Sequence, residues 1–259
     1  QVRDQTYNEN LVITKSVTLL GGYASGFGSR TPRGTTVGNV ATSVIDIHGT
    51  GLKVTIDGFE IANGTTPAYG GGIHIDVEDG SVVTINDNFV HDNIATNGGG
   101  IWAYLDERCD LHITDSDVMT NLAVSVGGIQ ATFWASNTFT LENTQIVSNI
   151  ARTYGGLTAS MDNFGRFNVT DNVIRDNEAA VVDYGGLHFR VDNNAQGHFD
   201  RNRIVANKAA NYFGGGYVEL EGNAVTTFDD NVISENVAGA SWGGLRVELD
   251  DHSMAVGNR

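Results

Sequence analysis

The sequence predicts an all-β chain wound as a single-stranded, three-sided parallel solenoid of about nine rungs, each 28 to 30 residues long. Three observations predict it. Glycine pairs ending at Gly72, Gly100, Gly128, Gly156, Gly186, Gly215 and Gly244 are separated by 28, 28, 28, 30, 29 and 29 residues. An asparagine column at Asn93, Asn121, Asn149, Asn177, Asn207 and Asn236 keeps the same register. Between these markers apolar residues alternate by two, the period of a strand with one buried face.

Each rung carries three apolar segments. The first follows the glycines, as in Ile73, Ile75, Val77 and then Ile101, Ala103, Leu105. The second is Val83 and Ile85 in one rung, Leu111 and Ile113, Phe139 and Leu141, Phe167 and Val169, then Thr226 and Phe228 in others. The third is a single apolar position, Val90, Val118, Ile146, Ile174, Ile204 or Ile233, set between the asparagine column and a second polar column. That column is Asn88, Ser116, Thr144, Asn172, Asn202 and Asn231. No helical period competes with this pattern. Upstream, Val54, Ile56, Phe59 and Ile61 fall about one period before Ile85 and Val90, and Leu11 to Leu19 and Val44 to Ile47 read as opening turns. Residues 1–64 therefore form less regular rungs with a loop at 24–38, and residues 65–259 form regular ones, within one domain spanning 1–259.

Equivalent residues one rung apart should stack in parallel at about 4.8 Å, giving a rod about 40 Å long. Asn suits a corner because it tolerates left-handed backbone angles and its amide can bond the Asn above and below. Paired glycines suit the opposite corner, where a tight bend would make side chains collide.

Composition excludes several alternatives. Thirty-three glycines with only two prolines and no triplet period are not collagen. A net charge of −16 opposes phosphate neutralisation, so nucleic-acid partners are set aside, as are anionic membrane surfaces. No apolar run is long enough to span a bilayer. The single Cys109 rules out an internal disulfide and a thiolate-rich zinc site. The chain opens at Gln1 and stops shortly after Ser253–Val256 begins a further rung, which reads as part of a longer or processed chain, or as an end completed by stacking on a neighbour.

The segments YNENLVITKSVTLLGGY (7–23) and VTIDGFEIANG (54–64), with the seven glycine-pair rungs, resemble the right-handed parallel β-helix of the pectin-lyase-like superfamily. More narrowly they are similar to secreted bacterial repeat proteins with GG-I/L and N-x-I-x-x-N signatures, including polymorphic outer membrane proteins. The resemblance implies a bacterial extracellular or cell-surface location, with polysaccharide or matrix components as partners. It leaves function open, because such folds carry lyases, hydrolases, adhesins and stalks.

Function must then lie on the outward residues of each strand. After the glycine pairs these form two columns: His74, Trp102, Gln130, Thr158, His188, Tyr217, Arg246, and Asp76, Tyr104, Thr132, Ser160, Arg190, Glu219, Glu248. Gly216, not Tyr217, is aligned with the inward Ile/Leu, since otherwise Glu219 would enter the core unpaired. Trp102, Tyr104 and Gln130, with Trp134 just past its strand, form the expected glycan-binding patch of an adhesive or structural module. Glu219 and Glu248, on adjacent rungs, lie at the spacing of a retaining glycosidase pair, with Arg190, Arg246 and His188 beside them. The alternatives to adhesion are therefore a polysaccharide lyase or glycoside hydrolase built on these five residues, with the charge ladder Arg190–Glu219 and Arg246–Glu248 as their structural explanation, and an extracellular filament subunit stacking end to end. No cofactor is expected. Asp115 with Asp117, Asp229 with Asp230, and Asp250 with Asp251 are the candidate oxygen ligands for calcium, though none has a calcium-loop spacing.

Overall fold

A computed structural model describes residues 1–257. The chain forms strands and no helix among the described residues, and every strand pairing is parallel. It is a β-solenoid of about nine turns. Sheet 1 holds the nine strands that follow the glycine corner, from Leu11–Ile13 through Ile101–Asp106 to Leu245–Leu249. Sheet 2 runs from Val17–Leu20 to Met254–Val256, and sheet 3 from Thr6–Tyr7 to Val232–Ser234, each with nine strands. The upstream segments enter these sheets in the expected register: Leu11 pairs with Ile45, Ile56 with Ile85, and Ile61 with Val90.

Two features differ from the three-sided expectation. A small fourth sheet of six two-residue strands, Ile94–Ala95 to Val237–Ala238, lies between the asparagine column and the glycines. The loop expected over 24–38 ends earlier, because Thr35–Val40 is a sheet 3 strand paired with Phe59–Gly64. Arg33 pins that excursion to the coil: its guanidinium donates to the Asp87 and Asp117 carboxylates and, at 2.8 Å, to the Asp115 carbonyl.

The inward residues make one continuous core. Ile73, Ile101 and Ile129 are fully buried and stack in register, followed by Leu157 and Leu187. In the C-terminal half the filling becomes aromatic, with Phe167 against Phe189 at 4.9 Å and Phe199 against Phe228 at 5.6 Å. Cys109 is buried in this core, its thiol 3.1 Å from the Asp106 carbonyl and pushed up in pKa by burial, which fits packing and not nucleophilic chemistry.

The asparagine corner works through its side chains. The Asn149 Oδ1 accepts from the backbone N–H and the Nδ2 of Asn121, each at 3.0 Å, while its own Nδ2 donates to the Val118 carbonyl at 2.9 Å and to Asn177 Oδ1 at 3.0 Å. The same pattern links Asn93 to Asn121 and continues to Asn236. The left-handed turn expected of these asparagines falls instead on the residue before each one: Asp92, Thr120, Ser148, Asp176, Ala206 and Glu235 have φ of 52 to 58°. The ladder fixes the corner so firmly that even β-branched Thr120 is held there. At the glycine corner the demand is space. A Cβ on Gly100 would lie 2.8 Å from the Gly128 carbonyl oxygen and 2.6 Å from Val118 Cγ1.

From Ile73 onward the rungs differ in length at one place only. Between the buried alanine of sheet 4 and the following glycine pair, three residues intervene after Ala95, Ala123 and Ala151, five after Ala179, and four after Ala209 and Ala238. Register is kept across the change, with Ala151 paired to Ala179 and Tyr154 bridged to Tyr184.

Candidate functional site

Sheet 1 presents the outward columns in the order expected. Trp102 is in register with His74 and Gln130, Tyr104 with Asp76 and Thr132, His188 with Tyr217, Arg190 with Glu219, and Glu219 with Glu248. Gly216 pairs with Leu187 and Leu245, so Tyr217 and Glu219 face outward as the charge argument required.

At the N-terminal end of this face the rings are braced. Trp102 packs against Tyr69 at 4.6 Å, stacks on His74 at 5.0 Å and neighbours Tyr104 at 6.3 Å. His74 donates from Nδ1 to Asp46 at 2.8 Å, and His48 lies 3.3 Å from the same carboxylate. The His74 hydrogen bond is the main reason that the Asp46 pKa falls below the usual carboxylate range. Tyr69 and His74 therefore cover part of Trp102, one of the four residues of the expected glycan-binding patch. Tyr104 stays half-buried, and Trp134 is 48% exposed. The strand Ile129–Trp134 runs through Trp134, not short of it, and aligns its ring with Asp106. Gln130 is beside Trp102, with its Oε1 enclosed and without a hydrogen-bond partner.

At the C-terminal end charged groups gather on a second file of rings. Tyr154, Tyr184, Phe213 and Trp242 each immediately precede a glycine pair and stack at 5.3, 5.1 and 5.3 Å, with planes within 8°. His188 and Tyr217 fill the neighbouring column, 4.7 Å and 5.8 Å from Tyr184. Arg246 lies over Tyr217 and Trp242 at 5.5 and 5.1 Å and bonds Glu248 at 2.6 Å. The Tyr217 hydroxyl lies 2.5 Å from Glu248 Oε2 and 3.5 Å from Glu219 Oε1, which caps the separation of these two oxygens at about 6 Å. Arg190 reaches Glu219 only at 3.8 Å and is closer to two acids not singled out in the sequence, Glu221 at 2.9 Å and Asp192 at 3.1 Å.

Burial sets the protonation of this group. His188, desolvated by the rings and repelled by Arg190, is pushed down to about 4. Between about pH 4 and 6.5 the unfolded chain carries a proton there that the folded chain does not, so stability rises with pH across that window. Asp192 has the opposite sign. Burial pushes it up to about 6, against the Arg190 charge, so from about pH 4 to 6 the folded chain holds the extra proton and this contribution falls as pH rises. Urea midpoints measured between pH 7 and 4 should therefore show His188→Gln losing up to about 3 kcal/mol less on acidification than the parent, and Asp192→Asn losing more. Parallel curves for all three proteins would contradict these assignments. Burial and the neighbouring Glu221 also raise the Glu219 pKa.

Among the described residues, no group of three or more His, Cys, Asp or Glu is placed to hold a metal ion. Asp117, one of the calcium candidates, is engaged by Arg33, and the Asp115 carboxylate accepts from Asn143 at 2.6 Å. Comparison with family models, with curated proteins and with solved structures finds no match to this chain.

Proposed function

We propose that this chain is a structural and adhesive module of an extracellular or cell-surface bacterial β-helix protein, and that it holds polysaccharide against the outward face of sheet 1. The observation that carries the reading is the set of rings on one open face: Trp102 braced by Tyr69 and His74, Tyr104 beside it, and Trp134 one rung on with half its surface in water. A large exposed indole beside other rings, fixed on a rigid sheet, offers apolar area to a sugar ring at little entropic cost. The likeness of the repeats to pectin-lyase-like surface proteins points the same way.

A second reading has its own observation. Glu219 and Glu248 share the Tyr217 hydroxyl, and their surroundings differ: Arg246 pairs with Glu248, while burial holds a proton on Glu219 more firmly than usual. Two carboxyls made unequal in this way are the requirement for acid and nucleophile in glycoside cleavage.

One experiment separates the readings. On a glycan array, Trp134→Ala should weaken binding about tenfold while leaving the unfolding midpoint unchanged, since the ring is half exposed. Equal binding by the parent and the variant would remove the face from consideration. Reducing ends or unsaturated products released by the parent, and lost in Glu248→Gln, would replace adhesion with catalysis.

A further inference from the structure

The charges around the rings narrow the class of glycan. Asp76 is in register with Tyr104 on the preceding rung, and Asp106 is in register with Trp134. Glu78 ends the strand that carries Asp76, and Asp79 and Glu107 follow at the turns. Among the described residues none of these five acids has an ion-pair partner. Crowding shows in two effects. Glu107 is raised chiefly by a hydrogen bond with Asp79, and the Tyr104 phenol is raised by burial and then by Asp106, Asp76 and Glu78. Arg108 is the one Lys or Arg in the strands and turns 73–79, 101–108 and 129–136. His48, in register with Asp76, faces Asp46, and so does His74. The acids at the other end of the face, by contrast, are paired with Arg190 and Arg246.

Resting on the polysaccharide reading above, we propose that the Tyr104–Trp134 region binds a glycan with free amino groups, a de-N-acetylated hexosamine chain, seating its ammonium groups against Asp76 and Asp106. Cations gain both from the faces of Trp and Tyr and from unpaired carboxylates, whereas a uronic acid polymer meets like charge. A repeating cationic chain also engages several acids at once, which multiplies weak contacts.

The test titrates the whole chain with three glycans of equal length: a de-N-acetylated glucosamine oligomer, its fully N-acetylated counterpart and an oligogalacturonate. Polylysine serves as a cationic peptide. The free-amine oligomer should bind at least tenfold more tightly than the acetylated one, and the oligogalacturonate should bind least. The preference should collapse in D76N/D106N, two substitutions that remove charge without removing core contacts, while Trp134→Ala weakens both hexosamine oligomers. Equal affinity for the free-amine and acetylated oligomers would overturn the charge assignment and leave the polysaccharide reading standing. Binding of polylysine with no glycan bound at all would overturn both.

Discussion

Asn149→Ala should lower the unfolding free energy by about 4 kcal/mol, although it removes only a small amide from a polar column. Asn149 is fully buried, and four hydrogen bonds end on its side chain. Truncation strands the Asn121 N–H, the Asn121 amide and the Val118 carbonyl out of water, and each such group costs roughly 1–3 kcal/mol. The change acts on neighbouring rungs first, because solenoid rungs touch only their neighbours. Hydrogen exchange should therefore accelerate around Asn121 and Asn177 before the ends respond. Asn149→Asp keeps the shape but turns an acceptor toward the Val118 carbonyl and Asn177 Oδ1; it should be at least as harmful at pH 7 and recover in part on acidification. A loss below about 1 kcal/mol in the alanine variant would show that the ladder is ornamental.

Gly100→Ala should be comparably damaging, by about 3 kcal/mol or more, for a steric reason alone. The Gly100 backbone does not have a positive φ, so alanine has no conformational objection there. Its methyl, however, would overlap the Gly128 carbonyl, which is held in place by accepting from the Ile101 N–H at 3.0 Å. Backbone oxygen in a ladder cannot swing aside as a flexible side chain can. Gly244 provides the internal control: it occupies the same place in its rung, yet an added Cβ would meet nothing within 4 Å. Gly244→Ala should change stability by less than about 0.5 kcal/mol. Equal effects at the two positions, read from urea midpoints, would mean that rung stacking is not what selects glycine.

The coil was legible because its period repeats the same demand seven times over, and vertical stacking turns each demand into a column. The register of Tyr217 and Glu219 could be read for the same reason: the wrong frame buries a carboxylate. The fourth sheet escaped notice because a two-residue strand such as Ile94–Ala95 has no internal period. Its signal was the alanine column 95, 123, 151, 179, 209 and 238, visible only by looking across rungs. Asp192 and Glu221 escaped likewise, since each stands just beyond its strand; they align with Asp162 and Asp250 in a column of acids at strand ends. The cover over Trp102 was harder to foresee, because Tyr69 lies across the glycine corner and alternation within a strand says nothing of it. The displaced left-handed turn has a physical cause too. An asparagine whose amide is spent on a vertical ladder is fixed by that ladder, and the bend passes to its neighbour.

From Ile73 onward all the variation in rung length is confined to the corner between sheet 4 and sheet 1, next to the rings that precede the glycine pairs. Added residues there leave the core and both ladders untouched. That corner is consequently the natural graft point of the molecule. A foreign peptide spliced between Val182 and Asp183 would bulge sideways beside Tyr184, and the rim of the outward face could diverge among descendants of this chain while the scaffold beneath stayed the same.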